Sequence, residues 1–277
     1  MGVSLVTLRC RTADRFPGAP RGVEILAPLV AGALGVEPRF IGSAGEVRET
    51  RYQEDLAESR GCLLEAGGQI EDALSGGNTP VLLAADCSVA ASTLPAVSRH
   101  RPDARILWLD GHGDYNTPET SVSGYLGGMG LAAATGEWDA GLGGDRVPPE
   151  QVVLTGVRDL DPGERELLER SAVTVIGASP VETLVAAKNA LEGAPVFMHL
   201  DLDVIDPEHF PAAVPAPGGL HPDKLYDLMD SVLEDSELVG IEITTFDAPE
   251  DEEARAVATE TAMHVLEPVL EHISESS

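Results

Sequence analysis

Acidic and imidazole side chains alternate in the segment from Asp110 to Asn116, which reads Asp-Gly-His-Gly-Asp-Tyr-Asn. Alternate residues of an extended chain point to one side, so Asp110, His112 and Asp114 can converge on a single point. Carboxylates and a neutral imidazole suit a hard or borderline divalent metal ion. Taken alone, the segment is explained equally well by a polar loop.

A second acidic segment begins at His199 and reads His-Leu-Asp-Leu-Asp-Val-Ile-Asp. Its Asp201 and Asp203 share one face, and two buried carboxylates are costly unless a cation compensates them. Together the two segments supply four carboxylates and one imidazole. That is more than one metal ion usually needs, and it predicts a two-metal site. Asp206, which precedes a proline, is expected to form a turn.

A third segment places Asp86 and Cys87 between an apolar run and a helical pattern. Asp86 is expected to cap that helix. Free cysteine is most often a small buried group. Cys87 could instead serve as a thiolate, because a dinuclear metal site would supply the positive charge that a thiolate needs. Both interpretations stay open at this point.

The elements that must position these segments alternate between strand and helix patterns. Continuous apolar runs suit strands that are covered on both faces of a parallel sheet, where sites form at the carboxyl ends. The alternation therefore predicts an α/β domain with right-handed crossovers. The predicted strands cover residues 4–9, 38–42, 80–85, 104–110, 151–157, 173–176, 195–204 and 238–244. The predicted helices cover residues 21–34, 51–74, 88–99, 163–170, 180–192, 222–233 and 252–272.

The composition limits the class of protein. The chain has 277 residues, of which 43% are hydrophobic, enough for one large core, and we expect a single domain over residues 1–277. Its 47 acidic and 18 basic residues give a formal charge of −29. This charge argues against nucleic acid and against an anionic membrane surface as partners.

The cysteine count and the N-terminal residues indicate a compartment. Cys10, Cys62 and Cys87 are too few and too scattered for a disulfide framework or a paired zinc site. No signal-peptide pattern is visible, and no uncharged apolar stretch is long enough to span a bilayer. We therefore expect a soluble, cytoplasmic protein in a reducing environment.

In their order along the chain, the three motifs resemble those of the ureohydrolase superfamily, which comprises arginases, agmatinases and relatives. The resemblance covers most of the chain. It implies a three-layer α/β/α fold around a mostly parallel eight-stranded sheet. It also implies two Mn²⁺ ions, whose bridging hydroxide attacks a guanidine carbon of a small amino-acid substrate, and a homo-oligomer of three or six subunits.

The same resemblance assigns the metal ligands residue by residue. Two carboxylates would bridge both ions, and each ion would have two further ligands. The bridging residues would be Asp110 and Asp201; one ion would add His112 and Asp203, and the other Asp114 and Cys87. Asp114 would also hydrogen-bond the bridging hydroxide. Glu242, the only acid in the predicted last strand, would take the catalytic, guanidinium-binding role; as an alternative, its side chain simply faces solvent.

Two further segments resemble the arginase residues that bind the amino-acid end of the substrate. For the α-amino group these are Asp159, Asp161 and Glu164. For the α-carboxylate these are Asn116, Ser121 and Ser123. The combination favours an arginine-type amino acid over a decarboxylated amine. Because proline follows Asp161, this residue could instead form the turn that begins a helix.

Five positions depart from the family pattern. Cys87 stands where the family has a metal-binding His, and Gly127 stands where it has a loop His thought to shuttle protons. Tyr125 replaces an Asn, and Val214 replaces a Thr. Strict register places Thr245, rather than Glu242, at the position of the guanidinium-binding Glu. A thiolate adds negative charge and is softer than manganese prefers, so one ion is expected to bind weakly. Loss of the loop His removes a general acid worth about 10²–10⁴-fold in rate.

These departures predict a poor arginase, because the guanidinium of arginine, with a pKa of about 12.5–13.8, stays charged. An N-hydroxyguanidine is much less basic than a guanidine and can enter the site in its neutral form. We therefore hypothesise hydrolysis of Nω-hydroxy-L-arginine to hydroxyurea and L-ornithine, as in the branch of the family that the chain resembles, which acts in D-cycloserine biosynthesis. The alternatives are an arginase or another guanidino-acid hydrolase that releases urea, and a metal-poor, inactive regulatory or structural homologue. A histone-deacetylase-like zinc site is disfavoured because its His pair is absent.

Overall fold

Eight strands form one sheet in the structure, a computed structural model that describes residues 2–179 and 182–276. The strands are β1 (Val3–Leu8), β2 (Arg39–Ile41), β3 (Thr79–Leu83), β4 (Arg105–Leu109), β5 (Val152–Val157), β6 (Thr174–Gly177), β7 (Val196–Asp201) and β8 (Leu238–Thr244). Within the sheet they lie in the order β2-β1-β3-β8-β7-β4-β5-β6. All pairings between these strands are parallel, which confirms the predicted sheet.

Helices connect the strands and cover both faces of the sheet. They are α1 (Gly18–Leu34), α2 (Tyr52–Ser75), α3 (Ala90–His100), α4 (Gly130–Thr135), α5 (Pro162–Arg170), α6 (Thr183–Leu191), α7 (Pro222–Asp235) and α8 (Glu252–Ser276). Among the described residues, none of these helices combines the length and the apolar content that crossing a bilayer requires.

Two apolar clusters, one on each face, hold the layers together. Leu83 of β3 packs in one cluster with Leu26 of α1 and Leu225 of α7. Leu82 packs in the other cluster with Leu94 of α3. Because neighbouring residues of a strand point to opposite faces, these two leucines face different helix layers. The arrangement confirms the three-layer α/β/α fold, and each fully buried leucine contributes about 1.5–3 kcal/mol of transfer free energy.

The central strands β3, β8, β7 and β4 lie side by side, and their carboxyl ends carry the sequence motifs. Cys87 follows β3, Thr245 follows β8, Asp201 ends β7 and Asp110 follows β4. Sequence segments more than 150 residues apart therefore meet at one edge of the sheet.

Two elements differ in type from prediction. The strand predicted over 195–204 ends at Asp201, because Leu202–Val204 form a short 3-10 turn. Helix α4 was not predicted, since its six residues, Gly130–Thr135, are small or apolar and show no polar face. The helix predicted from residue 180 is described from Thr183 onward, and its Pro180 and Val181 lie outside the described residues.

Cys10 and Cys62 form a disulfide, which corrects the inference from scattered cysteines. The two residues are 52 positions apart, yet their Cα atoms lie 6.5 Å apart. The packing of α2, which carries Cys62, against the sheet beside β1 brings them together, and spacing along the chain does not reveal that contact. Cys87 is the free cysteine of the three.

Candidate functional site

A cavity of about 350 Å³ lies at the carboxyl ends of the central strands. Five of the six predicted metal ligands line it: Cys87, His112, Asp114, Asp201 and Asp203. The sixth, Asp110, is fully buried next to them and accepts a 2.7 Å hydrogen bond from the backbone N–H of His112. The fold thus brings together all six residues that the motifs singled out.

His112 contacts two of the carboxylates. Its Nδ1 lies 3.0 Å from Asp203 Oδ2 and 3.5 Å from Asp110 Oδ1. The backbone N–H of Gly111 donates to Asp203 Oδ1 at 3.0 Å, which fixes that carboxylate toward the ring. Burial lowers the pKa of His112, but the charges of Asp203 and Asp110 outweigh this effect and raise the pKa to about 12.

Asp201 and Asp114 face the same space. Asp201 accepts hydrogen bonds of 2.7 Å from the backbone N–H of Asp203 and from Thr245 Oγ1. Asp114 and Thr245 both have left-handed backbones, with φ of 47° and 64°. Such conformations cost about 1–3 kcal/mol in residues other than glycine and concentrate at functional sites. The fold therefore bears strain at two residues that line the cavity.

The residues present fit divalent metal ions. Burial, together with the neighbouring carboxylates, raises the pKa values of Asp114 and Asp203 and raises that of Asp201 to about 6. His112 Nε2 is buried and has no hydrogen-bond partner among the described residues. Ligand atoms of Asp110, His112 and Asp203 lie within 4.8 Å of one another. Such a crowded set of oxygen and nitrogen donors is compensated by a hard or borderline cation.

Cys87 and His112 belong to two different groups of potential metal ligands, which share Asp110. Its Sγ lies 3.0 Å from Asp201 Oδ2 and 3.1 Å from Thr244 Oγ1. Burial and the Asp201 carboxylate raise the pKa of this thiol. Without a cation, Cys87 is therefore a neutral donor to Asp201; a bound metal ion would be needed to stabilise its thiolate.

Two aspartates have the structural roles expected of them. Asp86 Oδ1 caps the turn that precedes α3 by accepting from the backbone N–H of Ser88 at 3.0 Å. Asp206 accepts from the backbone N–H groups of Glu208, Gly218 and Gly219 at 2.6–2.9 Å. Neither residue lines the cavity.

The placement of Glu242 corrects the role expected for it. Its carboxylate does not line the cavity and is fully buried. It lies 2.7 Å from His199 Nδ1 and accepts a 2.6 Å hydrogen bond from Thr93 Oγ1. The solvent-facing alternative is also wrong. The strand turns Glu242 toward the layer of α3, while Thr245, three residues later, reaches the cavity.

His199 is a site residue that the sequence interpretation missed. Its Nε2 lies 3.2 Å from Cys87 Sγ, and its ring stacks on Trp108 with centroids 3.5 Å apart. The available signal was a histidine inside an apolar strand run, two positions before Asp201 and so on the same strand face.

The polar residues at the other end of the cavity form one network. Asn116 Nδ2 donates to Asp161 Oδ2 at 3.2 Å. Glu164 accepts from the backbone N–H groups of Tyr115 at 2.8 Å and Asp161 at 3.2 Å, and burial raises its pKa to about 7. Asp161 also caps α5, so it begins the helix and faces the cavity at once.

Most of the residues expected at the amino-acid end line the cavity: Asn116, Ser123, Asp159, Asp161 and Glu164. Ser121 is the exception, because it is absent from the cavity lining and its Oγ accepts from the backbone N–H of Gly124 at 2.9 Å. The role expected for Ser121 is corrected to that of a residue that shapes the loop.

All five positions that depart from the expected pattern line this one cavity: Cys87, Tyr125, Gly127, Val214 and Thr245. They are dispersed over more than half of the chain. The departures therefore change the chemistry of a single site, while most of its carboxylates are retained.

Comparison with known proteins agrees with this geometry. The family model described as "Arginase family" matches residues 42–270. The chain is 35% identical over 269 residues, 97% of each chain, to an N(omega)-hydroxy-L-arginine amidinohydrolase of Streptomyces lavendulae. It is 33% identical to an arginase of Brevibacillus brevis over 76% of each chain. The crystal structure of an arginase from Bacillus cereus matches with a TM-score of 0.80 and 26% identity, over 96% of this chain and 97% of that one. The chain therefore belongs to the arginase family, whose members are hydrolases of amidino carbon–nitrogen bonds.

Proposed function

We propose that this enzyme hydrolyses Nω-hydroxy-L-arginine to hydroxyurea and L-ornithine. The main support is that all five departures line one cavity, in which the retained Asn116, Asp161 and Glu164 form a polar network. The similarity to the Streptomyces lavendulae amidinohydrolase supports the same substrate.

In this proposal the cavity would hold two Mn²⁺ ions. Asp110 and Asp201 would serve both ions, His112 and Asp203 would hold one of them, and Asp114 and Cys87 would hold the other. When bound, the ions would activate a water molecule and polarise the guanidino group. The Cys87 side, with its soft sulfur donor, would bind manganese more weakly than the His112 side.

The amino-acid end of the substrate is assigned to the acidic network. The carboxylates of Asp159, Asp161 and Glu164 face the cavity, and their charge suits the α-ammonium group. The amide of Asn116 and the hydroxyl of Ser123 are assigned to the α-carboxylate. These contacts would orient the guanidino group toward the carboxylate cluster.

The reacting end favours a neutral hydroxyguanidine. A carboxylate would pair with the guanidinium cation of arginine, but here the hydroxyl of Thr245 faces the cavity, while the buried Glu242 does not. A hydroxyl offers the cation no compensating charge. The neutral form of hydroxyarginine does not require such a compensating charge, so the site would bind it in preference to arginine.

The reaction breaks one carbon–nitrogen bond. Water adds to the guanidino carbon, the bond from this carbon to the side-chain nitrogen breaks, and that nitrogen takes up a proton and leaves as the ornithine amine. Asp114, whose carboxyl group lines the cavity, is assigned to hold and deliver this proton.

Several finer features stay predictions. They are manganese as the native ion, a single domain, a cytoplasmic location, a homo-oligomer of three or six subunits and a role in antibiotic biosynthesis of the D-cycloserine type. Metal analysis of protein purified without added metal tests whether manganese is the native ion. Light scattering tests whether the protein forms a homo-oligomer of three or six subunits.

Product analysis tests the proposed reaction. Manganese-loaded protein incubated with Nω-hydroxy-L-arginine should yield hydroxyurea and ornithine in equal amounts, and Asp203→Asn should abolish both. Ornithine with urea from arginine alone would indicate an arginase. No product with metal bound would indicate another guanidino acid, and no product without bound metal an inactive homologue.

A further inference from the structure

The imidazole of His199 faces Cys87 beside the carboxylate cluster. Ligand atoms of Cys87, Asp110 and His199 lie within 4.8 Å of one another, and all three residues are buried. The Nε2 of His199 lies 3.2 Å from Cys87 Sγ. Two donors of one metal ion commonly lie at about this separation, since metal–sulfur bonds are about 2.3 Å and metal–nitrogen bonds about 2.0 Å.

The other ring nitrogen of His199, Nδ1, already has a hydrogen-bond partner. Nδ1 lies 2.7 Å from Glu242 Oε1, and the second oxygen of Glu242 accepts from Thr93. When Nδ1 donates its hydrogen to a carboxylate, Nε2 presents its lone pair. A carboxylate behind one ring nitrogen is the usual arrangement around a histidine that binds metal through the other.

The surrounding strands hold this ring in place. His199 of β7 is paired in register with Trp108 of β4 and with Glu242 of β8. Trp108 stacks on the imidazole at an interplanar angle of 10°, and its Nε1 donates to Asp110 Oδ2 at 2.9 Å. One tryptophan therefore orients two members of the cluster, and both stand on or next to rigid strands.

We propose that His199 is a ligand of the metal ion on the Cys87 side of the centre. The imidazole that Cys87 replaces in the family pattern would then come from His199 of β7, with Glu242 and Thr93 as the residues that position it. This inference rests on the metal centre of the proposed function. It also explains the burial of Glu242, which serves no group in the cavity.

The donor set has a consequence for metal preference. With Cys87 and His199 on one ion, that side offers sulfur and nitrogen in addition to carboxylate oxygen. Such a set favours Zn²⁺ or Co²⁺ over Mn²⁺, while the His112 side with its carboxylates remains suited to Mn²⁺. The two positions should therefore differ in metal preference.

Pulsed electron paramagnetic resonance on Mn²⁺-loaded protein tests the assignment, because it detects imidazole nitrogen bound to the ion. In His112→Ala that is loaded to two Mn²⁺ ions per chain, so that the weaker Cys87 side is also occupied, the nitrogen signal should persist, since His199 supplies it. In His112→Ala/His199→Asn it should disappear while Mn²⁺ is still bound. Absence of the signal in His112→Ala, or its persistence in the double variant, would overturn the proposal.

Measurements of metal affinity show whether His199 binds the ion itself or only lies next to a residue that does. His199→Asn should weaken Co²⁺ binding on the Cys87 side by about 1,000-fold, above the range of about 10–100-fold typical of a residue that only supports a ligand. His209→Asn, at an exposed histidine, is the matched control. A smaller loss would overturn the assignment of His199. Wild-type protein that binds no metal at all would overturn the proposed function itself.

Discussion

The ring of Tyr125 occupies the space beside Gly127 that a side chain at position 127 would fill. A Cβ atom at Gly127 would lie 2.5 Å from Tyr125 Cε1 and 2.6 Å from Cζ. The tyrosine ring at position 125 therefore fits only because position 127 has no side chain, and the two departures are coupled. The guanidinium of Arg15 lies 4.7 Å from the centroid of the same ring.

This coupling predicts that Gly127→His alone does not create an arginase. The new side chain would overlap the tyrosine ring and should lower the free energy of unfolding by about 1–3 kcal/mol. Gly127→His/Tyr125→Asn should recover that stability. With a general acid in place, it should also raise kcat for arginine by about 10²–10⁴-fold over wild type, the range typical of such groups. Urea unfolding and steady-state kinetics measure both effects, and a single variant as stable as the double would contradict the coupling.

The thiol of Cys87 should become a metal ligand on loading. Co²⁺-substituted protein is expected to show an intense sulfur-to-cobalt charge-transfer absorption, and Cys87→Ser should abolish it while the protein stays folded. Because Cys10 and Cys62 are joined in a disulfide, Cys87 is the free thiol to which the absorption belongs. An unchanged spectrum in Cys87→Ser would show that the sulfur does not bind the ion.

Asp114 should be essential for turnover. Asp114→Asn keeps a residue that tolerates the left-handed backbone at φ 47° and removes the negative charge. We expect kcat to fall by about 10²–10⁴-fold, as for loss of a proton-transfer group. Metal content must be measured on the same samples, and Asp139→Asn at an exposed loop position serves as the control. A fall of less than tenfold with full metal content would contradict the role.

Glu164 should make stability depend on pH. Burial raises its pKa from 4.5 to about 7, so the folded chain holds this proton more tightly than the unfolded chain. Its contribution to stability is therefore fully present below pH 4.5 and is lost as the pH rises through about 7. From pH 4.5 to above 7, the free energy of unfolding should decrease more in wild type than in Glu164→Gln, by at most about 3 kcal/mol.

Urea unfolding of metal-free protein across this pH range measures the difference. Glu166→Gln, an exposed position on the same helix, should follow the wild-type profile. Parallel profiles for wild type and Glu164→Gln would contradict the role of burial at Glu164.

The sequence was sufficient to predict the sheet and the carboxylate cluster, since apolar strand runs end directly at Asp110 and Asp201 and parallel strands bring such ends together. Glu242 was misplaced because alternation along a strand does not tell which helix layer covers a given face. The partnership of Cys87 with His199 depends on the register between β7 and its neighbours, and the bond from Cys10 to Cys62 depends on helix packing. The position of His199 inside an apolar strand run is a local signal, but neither of these two contacts leaves one.

A comparison of kcat/KM for Nω-hydroxy-L-arginine and arginine on one manganese-loaded preparation tests whether the cavity selects hydroxyarginine. We expect a preference for Nω-hydroxy-L-arginine of at least about 100-fold, which corresponds to about 2.7 kcal/mol of transition-state stabilisation. Equal values for the two substrates, or a preference for arginine, would contradict it.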